Sequence, residues 1–186
     1  MRKNFGPKPQ MYPMPVLIIA TYNADGTPNA MNAAWGCMAD SDKICIVVSS
    51  SHKTMENIKL RKAFTVSMAT KEQVVPADFV GVVSGNDDAH KWEKTGWQAE
   101  KSAFVDAPLI AQLPMALECE MLSYDEESEM LIGRIVNVCA EESVLDDEGK
   151  VDVKKLDPIS YDPVHHAYLT LGEKVGNAFS DGKGLK

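Results

Sequence analysis

Cysteine is sparse in this chain: Cys37, Cys45, Cys119 and Cys139 are the only four among 186 residues, and no two form a C-x-x-C pair. Zinc sites need closely spaced ligands and redox dithiols their short motif, so neither has support here. The last three lie in apolar, strand-like runs, where a free thiol packs as a small hydrophobe. Cys37, two residues after Trp35, stands apart from them. His165 and His166 are adjacent, so on a strand they would point to opposite faces and could not serve one metal.

Long apolar runs are also missing. Residues 16–20 form one of the longest, far short of the roughly 20 residues of a membrane helix. Arg2, Lys3 and Lys8 have no apolar stretch behind them of the kind a signal peptide carries. The expectation is a cytoplasmic protein. Positive charge is in deficit, 19 Lys and Arg against 27 Asp and Glu, for a net charge of −8. That balance argues against nucleic acid or an anionic membrane as a partner of the whole surface. Phosphate-loop, dinucleotide-fingerprint and G-x-S-x-G motifs are absent as well, so nucleoside triphosphate, Rossmann-type and serine-hydrolase sites lack their usual signatures.

What is present is an ordinary globular composition, 45% apolar and 25% charged, in a chain long enough to bury a sizeable core as one domain. A single domain over 1–186 is expected, with 1–10 and 177–186 as peripheral arms. Residues 13–22 read as a buried strand, and Asp25-Gly26 as a hairpin turn leading into a strand over 29–38. Residues 43–49 form the next strand. A helix over about 54–63, with Thr54 as its N-cap, precedes a strand at 64–68. Apolar spacing predicts a helix within 71–83, and a short helix follows Asn86-Asp87-Asp88 and stops at Gly96. Residues 108–114 read as a bounded turn or helix. Leu117, Cys119 and Met121 then alternate with Glu118 and Glu120, predicting a half-exposed strand that pairs with 130–140 across an acidic loop. Turn-linked strands with few inserted helices favour a mainly β fold, a closed antiparallel barrel with peripheral helices.

The stretch 29–57 is the most suggestive chemically. Its first strand is rich in alanine and cannot fill a core alone, so a helix or a flat ring must lie against it. Its later part, Ser49-Ser50-Ser51-His52-Lys53-Thr54, brings hydroxyls and a lysine to a helix start, where free N–H groups favour an anion. A capped helix with a solvated basic face would give the same pattern. Trp35 can be a core residue or wall a flat ligand. Lys91 can be a surface charge or face the anion.

Six segments taken together resemble the flavin reductase-like family: P-V-L-I-I-A-T at 15–21, N-A-M-N-A-A-W at 29–35, S-S-S-H-K-T-M-E-N-I at 49–58, S-G-N-D-D-A-H-K-W at 84–92, P-I-S-Y-D at 158–162 and Y-L-T-L-G at 168–172. The resemblance implies a Greek-key-like, FMN-binding split barrel that works as a homodimer. It also implies that Ser50, Ser51, Lys53 and Thr54 hold the FMN phosphate, that Asn29, Met31, Asn32, Ala33 and Trp35 line the ring, and that Lys91 adds a flavin contact. Hydride would come from NAD(P)H, the protein supplying position and N–H groups with no dedicated catalytic acid or base. A carrier reduced by a protein electron donor, or a flavin-binding module without turnover, are the alternatives.

Overall fold

The strand Leu17–Tyr22 explains most of the architecture, because it is apolar on both sides and is buried on both. In the computed structural model, which describes residues 1–185, Leu17 and Ile19 point into one core and Val16, Ile18 and Ala20 into another. In chain order the strands are β1 Met14–Pro15, β2 Leu17–Tyr22, β3 Pro28–Ala33, β4 Gly36–Asp40, β5 Lys43–Val47, β6 Ala63–Met68, β7 Ala99–Lys101, β8 Pro108–Ile110, β9 Met115–Asp125, β10 Met130–Ala140, β11 Ile159–Asp162 and β12 Ala167–Thr170. The α-helices are α1 Lys53–Arg61, α2 Val74–Val82, α3 Lys91–Thr95 and α4 Val153–Leu156.

Seven strands form one antiparallel sheet in the order β3-β2-β6-β9-β10-β5-β4. Its two edge strands, β3 and β4, are consecutive in the chain and joined through Ala34 and Trp35. The sheet curls into a split barrel, whose interior is filled by side chains such as Ile46, Phe64, Val66 and Leu131, with Met55 and Ile58 of α1 joining them. The second core lies outside the barrel, where Ala77 and Val80 of α2, Trp97 and Ile110 pack on the outer faces of β2 and β3. Two small sheets, β1-β11-β12 and β7-β8, complete the fold. Among the described residues no helix is long and apolar enough to cross a membrane.

Several expectations change at this level. The strand expected over 29–38 breaks after Ala33, and its second half turns to pair with β5. Residues 108–110 are a strand, paired with the polar segment Ala99–Lys101. The N-cap of α1 is His52, without a side-chain cap bond. Thr54 is instead buried inside the helix, its Oγ1 accepting from Asn29 Nδ2 at 2.9 Å. His165 and His166 sit in the β11–β12 turn, where Asp162 Oδ2 lies 2.7 Å from His165 Nδ1. Glu118, expected on an exposed face, is only 1% exposed. Its carboxylate accepts from Ser102 Oγ and from Asn137 Nδ2, so the β7–β8 hairpin and β10 satisfy a charge that would otherwise be costly to bury.

Candidate functional site

A cavity of about 270 Å³ opens where three parts of the chain meet. Met31 and Asn32 come from β3, His52, Lys53 and Thr54 from the start of α1, and residues 80–85 from the end of α2 and the loop beyond it. Lys91, first residue of α3, completes the wall. The α2 expected from apolar spacing is thus a wall of the site, held to β3 by Asn32 Nδ2 donating to the Ala77 carbonyl at 3.0 Å.

The loop after α2 approaches closely. A methyl group at Gly85 would stand 2.6 Å from Asn29 Oδ1 and 3.3 Å from Lys53 Cβ, so only glycine fits without displacement. Asn86 Nδ2 donates to the Ser51 carbonyl at 3.0 Å and ties this loop to the residues before α1. With no side-chain cap on α1, the Lys53 and Thr54 N–H groups are available to an anion, whereas those of Met55 and Glu56 donate to the His52 carbonyl.

Lys91 is the most informative residue. It is 5% exposed as a residue, but its Nζ is not among the buried side-chain atoms without a partner, so the ammonium opens onto the cavity that Lys91 lines. Burial pulls its pKa down from 10.5 to about 8. A largely buried lysine whose ammonium opens onto the cavity beside free helix N–H groups forms a site complementary to an anion, and that is the chemistry of a flavin phosphate or of an anionic flavin ring. The donor set therefore fits such a cofactor.

The ten residues singled out from sequence divide into three groups. Met31, Asn32, Lys53, Thr54 and Lys91 line the cavity together. Asn29 lies just beneath it, buried against Thr54 and Gly85. Ser50, Ser51, Ala33 and Trp35 are outside the lining. Ser50 and Ser51 are exposed in the approach to α1, where Glu129 Oε1 accepts from Ser49 Oγ at 2.7 Å and from the Ser50 N–H at 3.4 Å. Ala33 packs into the barrel interior. Trp35 is 56% exposed at the β3–β4 junction, which sets aside its reading as a core residue of this chain. Lys53 is not free either: its ammonium is 2.8 Å from Glu56 Oε1. Sequence reasoning missed residues 80–85 as lining. The available signal was the pair Gly81 and Gly85, with no charge between them.

No three His, Cys, Asp or Glu side chains come together as a metal site among the described residues. All four cysteines are free thiols, and Cys37 and Cys45 are cross-strand neighbours.

The fold has close counterparts. Flavoredoxin of Desulfovibrio vulgaris (Miyazaki F) is 34% identical, with 98% of this chain and 100% of that one covered at a TM-score of 0.93. A flavoredoxin from Methanosarcina acetivorans is 26% identical with full coverage of both chains and a TM-score of 0.89. An FMN-binding domain of a flavin reductase-like enzyme from Shewanella baltica, 23% identical over 88% of each chain, shares the fold at a TM-score of 0.78. The model of the flavin reductase like domain matches residues 10–161, spanning the barrel, the cavity and Lys91, and the chain belongs to the flavin reductase-like family.

Proposed function

We propose that this protein is an FMN-binding oxidoreductase that passes electrons through the bound flavin, acting as an NAD(P)H-dependent flavin reductase. The observation that carries the reading is the cavity between β3, the start of α1 and the loop after α2, with the largely buried Lys91 in its wall. Lys53, Thr54 and the leading N–H groups of α1 would hold the phosphate, with Ser50 and Ser51 closing over it from the preceding turn. Lys53 would exchange Glu56 for the phosphate, and the Ser50 N–H would exchange Glu129. Met31 and Asn32 offer the ring an apolar surface and an amide. Asn29 and Ala33 support that strand from below, and Trp35 stands at the exposed end, where it can cover a ring edge. Lys91 would stabilise negative charge on the ring or the phosphate.

The FMN supplies the redox chemistry when bound, accepting and releasing electrons at its ring. The chain binds, orients and screens it, and none of the cavity residues is needed as a catalytic acid or base. A second reading, a carrier whose flavin is reduced by a protein electron donor, is favoured by the similarity to two flavoredoxins. The exposed apolar side chains Trp35, Met38 and Val138 support association with a second copy as a homodimer.

Stopped-flow mixing of the FMN-loaded protein with NADH or NADPH tests the donor. Bleaching of the flavin band by either nucleotide is the expected result. Reduction by a ferredoxin and by neither nucleotide would replace the reductase reading with the carrier.

A further inference from the structure

The four thiols differ in what they can reach. Cys119 is fully buried inside the barrel, where burial and the neighbouring Glu118 push its thiol up to about 12. Cys139 lies near the end of β10, opposite Ala116, and donates to the Ala116 carbonyl at 3.8 Å. Cys37 and Cys45 stand directly opposite one another on β4 and β5, separated in sequence by the turn between those strands, and so form a pair that no C-x-x-C pattern reveals. Residues opposite in an antiparallel ladder carry their side chains on the same face. Ile44 and Ile46, the sequence neighbours of Cys45, fill the barrel interior, which turns both thiols to its outer face. Cys37 is exposed there and Cys45 is partly exposed.

The ladder sets their spacing. The Val47 N–H donates to the Trp35 carbonyl at 2.9 Å, and Cys37 and Cys45 lie two residues further along the same register. They fall at the next closely hydrogen-bonded pair, where Cα atoms are about 5.5 Å apart. Disulfides span Cα separations of about 4.4–6.8 Å, so a bond can close here with little backbone movement. β4 is an edge strand, paired only with β5 and interrupted by a bulge between Met38 and Asp40. A covalent link in its middle would fix a strand that the ladder holds from one side only.

We propose that Cys37 and Cys45 are a redox modification site, at which thiol–disulfide exchange with a small oxidised thiol joins their sulfurs and staples the edge strand β4 to the barrel. With oxidised glutathione as the reagent, the Cys37 thiolate attacks one of its sulfurs, forming a mixed disulfide and releasing one glutathione thiolate. The Cys45 thiolate then attacks Cys37 Sγ, the mixed disulfide breaks and the second glutathione leaves. The two cysteine protons pass through solvent to the departing thiolates, and the two electrons of the pair reduce one glutathione disulfide. Burial, with Cys37 beside it, raises the Cys45 thiol above its ordinary range, so the exposed Cys37 attacks first and Cys45 resolves.

The test uses the full-length protein, reduced, freed of reductant and mixed with excess oxidised glutathione. Its intact mass should fall by two hydrogens. Trypsin cuts after Lys43, between the two cysteines, so the digest should hold one pair of peptides linked through Cys37 and Cys45. Dithiothreitol should restore the starting mass. Cys45→Ser should stop at a glutathione adduct on Cys37, and Cys37→Ser should react at Cys45 about tenfold more slowly than wild type reacts at Cys37. Amide hydrogen exchange over residues 36–40 should slow about threefold on oxidation. An unchanged mass, a lasting glutathione adduct on the wild type, a covalent dimer linked through Cys37, or unaltered exchange would overturn the proposal. Failure of FMN uptake would leave it standing, since no part of it rests on the flavin reading.

Discussion

At the scale of single residues, Lys91 links burial to binding. Its free-site pKa is about 8 because burial disfavours the charged form, and a bound anion reverses that penalty. Affinity for FMN is therefore expected to be highest below about pH 8 and to fall above it, as binding then requires proton uptake. Lys91→Met should weaken FMN binding by about 10- to 100-fold at pH 7 and flatten this profile, measured by calorimetric titration from pH 6.5 to roughly 9. In the flavin-free protein the sign is opposite. The unfolded lysine keeps its proton up to about 10.4 while the folded one releases it near 8. Between those values the unfolded state holds more protons, so stability rises with pH. Lys91→Met should abolish that rise and make the flavin-free protein more stable at pH 7 by about 1–3 kcal/mol in thermal or urea unfolding. Lys53 gives a weaker effect, since its ammonium leaves Glu56 to reach a phosphate. Lys53→Ala is expected to cost about 1–2 kcal/mol of FMN affinity, and Glu56→Gln to tighten binding slightly.

At the scale of elements, two glycines separate the site from the scaffold. Gly85→Ala forces the α2–α3 loop away from Asn29 and Lys53. The expected result is a loss of FMN affinity of about tenfold with a stability change under roughly 1.5 kcal/mol. Gly133 lies at a bulge of β10, where a methyl group would overlap the buried Phe64 ring. Gly133→Ala should destabilise by about 1–3 kcal/mol and leave FMN affinity unchanged in the folded protein, which paired melts and titrations would show. The elements legible in sequence are those whose pattern is local. β2, β6 and the β9–β10 hairpin carry apolar residues at strand spacing, and α3 ends at a glycine in the left-handed conformation. The break between β3 and β4 was hidden because Ala34 and Gly36 carry no signal of direction, and β7 because its side chains are all exposed. The burial of Glu118 depends on Ser102 and Asn137, which only the fold brings together. In the site, Lys53, Thr54 and Asn32 were readable from a polar run before a helix and from the motif order. The wall formed by residues 80–85 depends on how α2 packs on β3, which no local pattern states.

At the scale of the whole molecule, β2 contributes to both cores, so the barrel interior and the outer layer share one strand. We infer that residues outside the terminal arms unfold as one domain, and a single cooperative transition in thermal and urea unfolding is expected. The central claim is that the cavity bounded by Met31, Lys53, Gly85 and Lys91 is the flavin cradle. Fluorescence titration of the flavin-free protein with FMN, run side by side on wild type and Lys91→Met, tests it most directly. One FMN bound per chain is expected, released unchanged as FMN on denaturation, with markedly weaker binding in the variant. Failure of the wild type to take up FMN, or equal affinity in the two proteins, would contradict it.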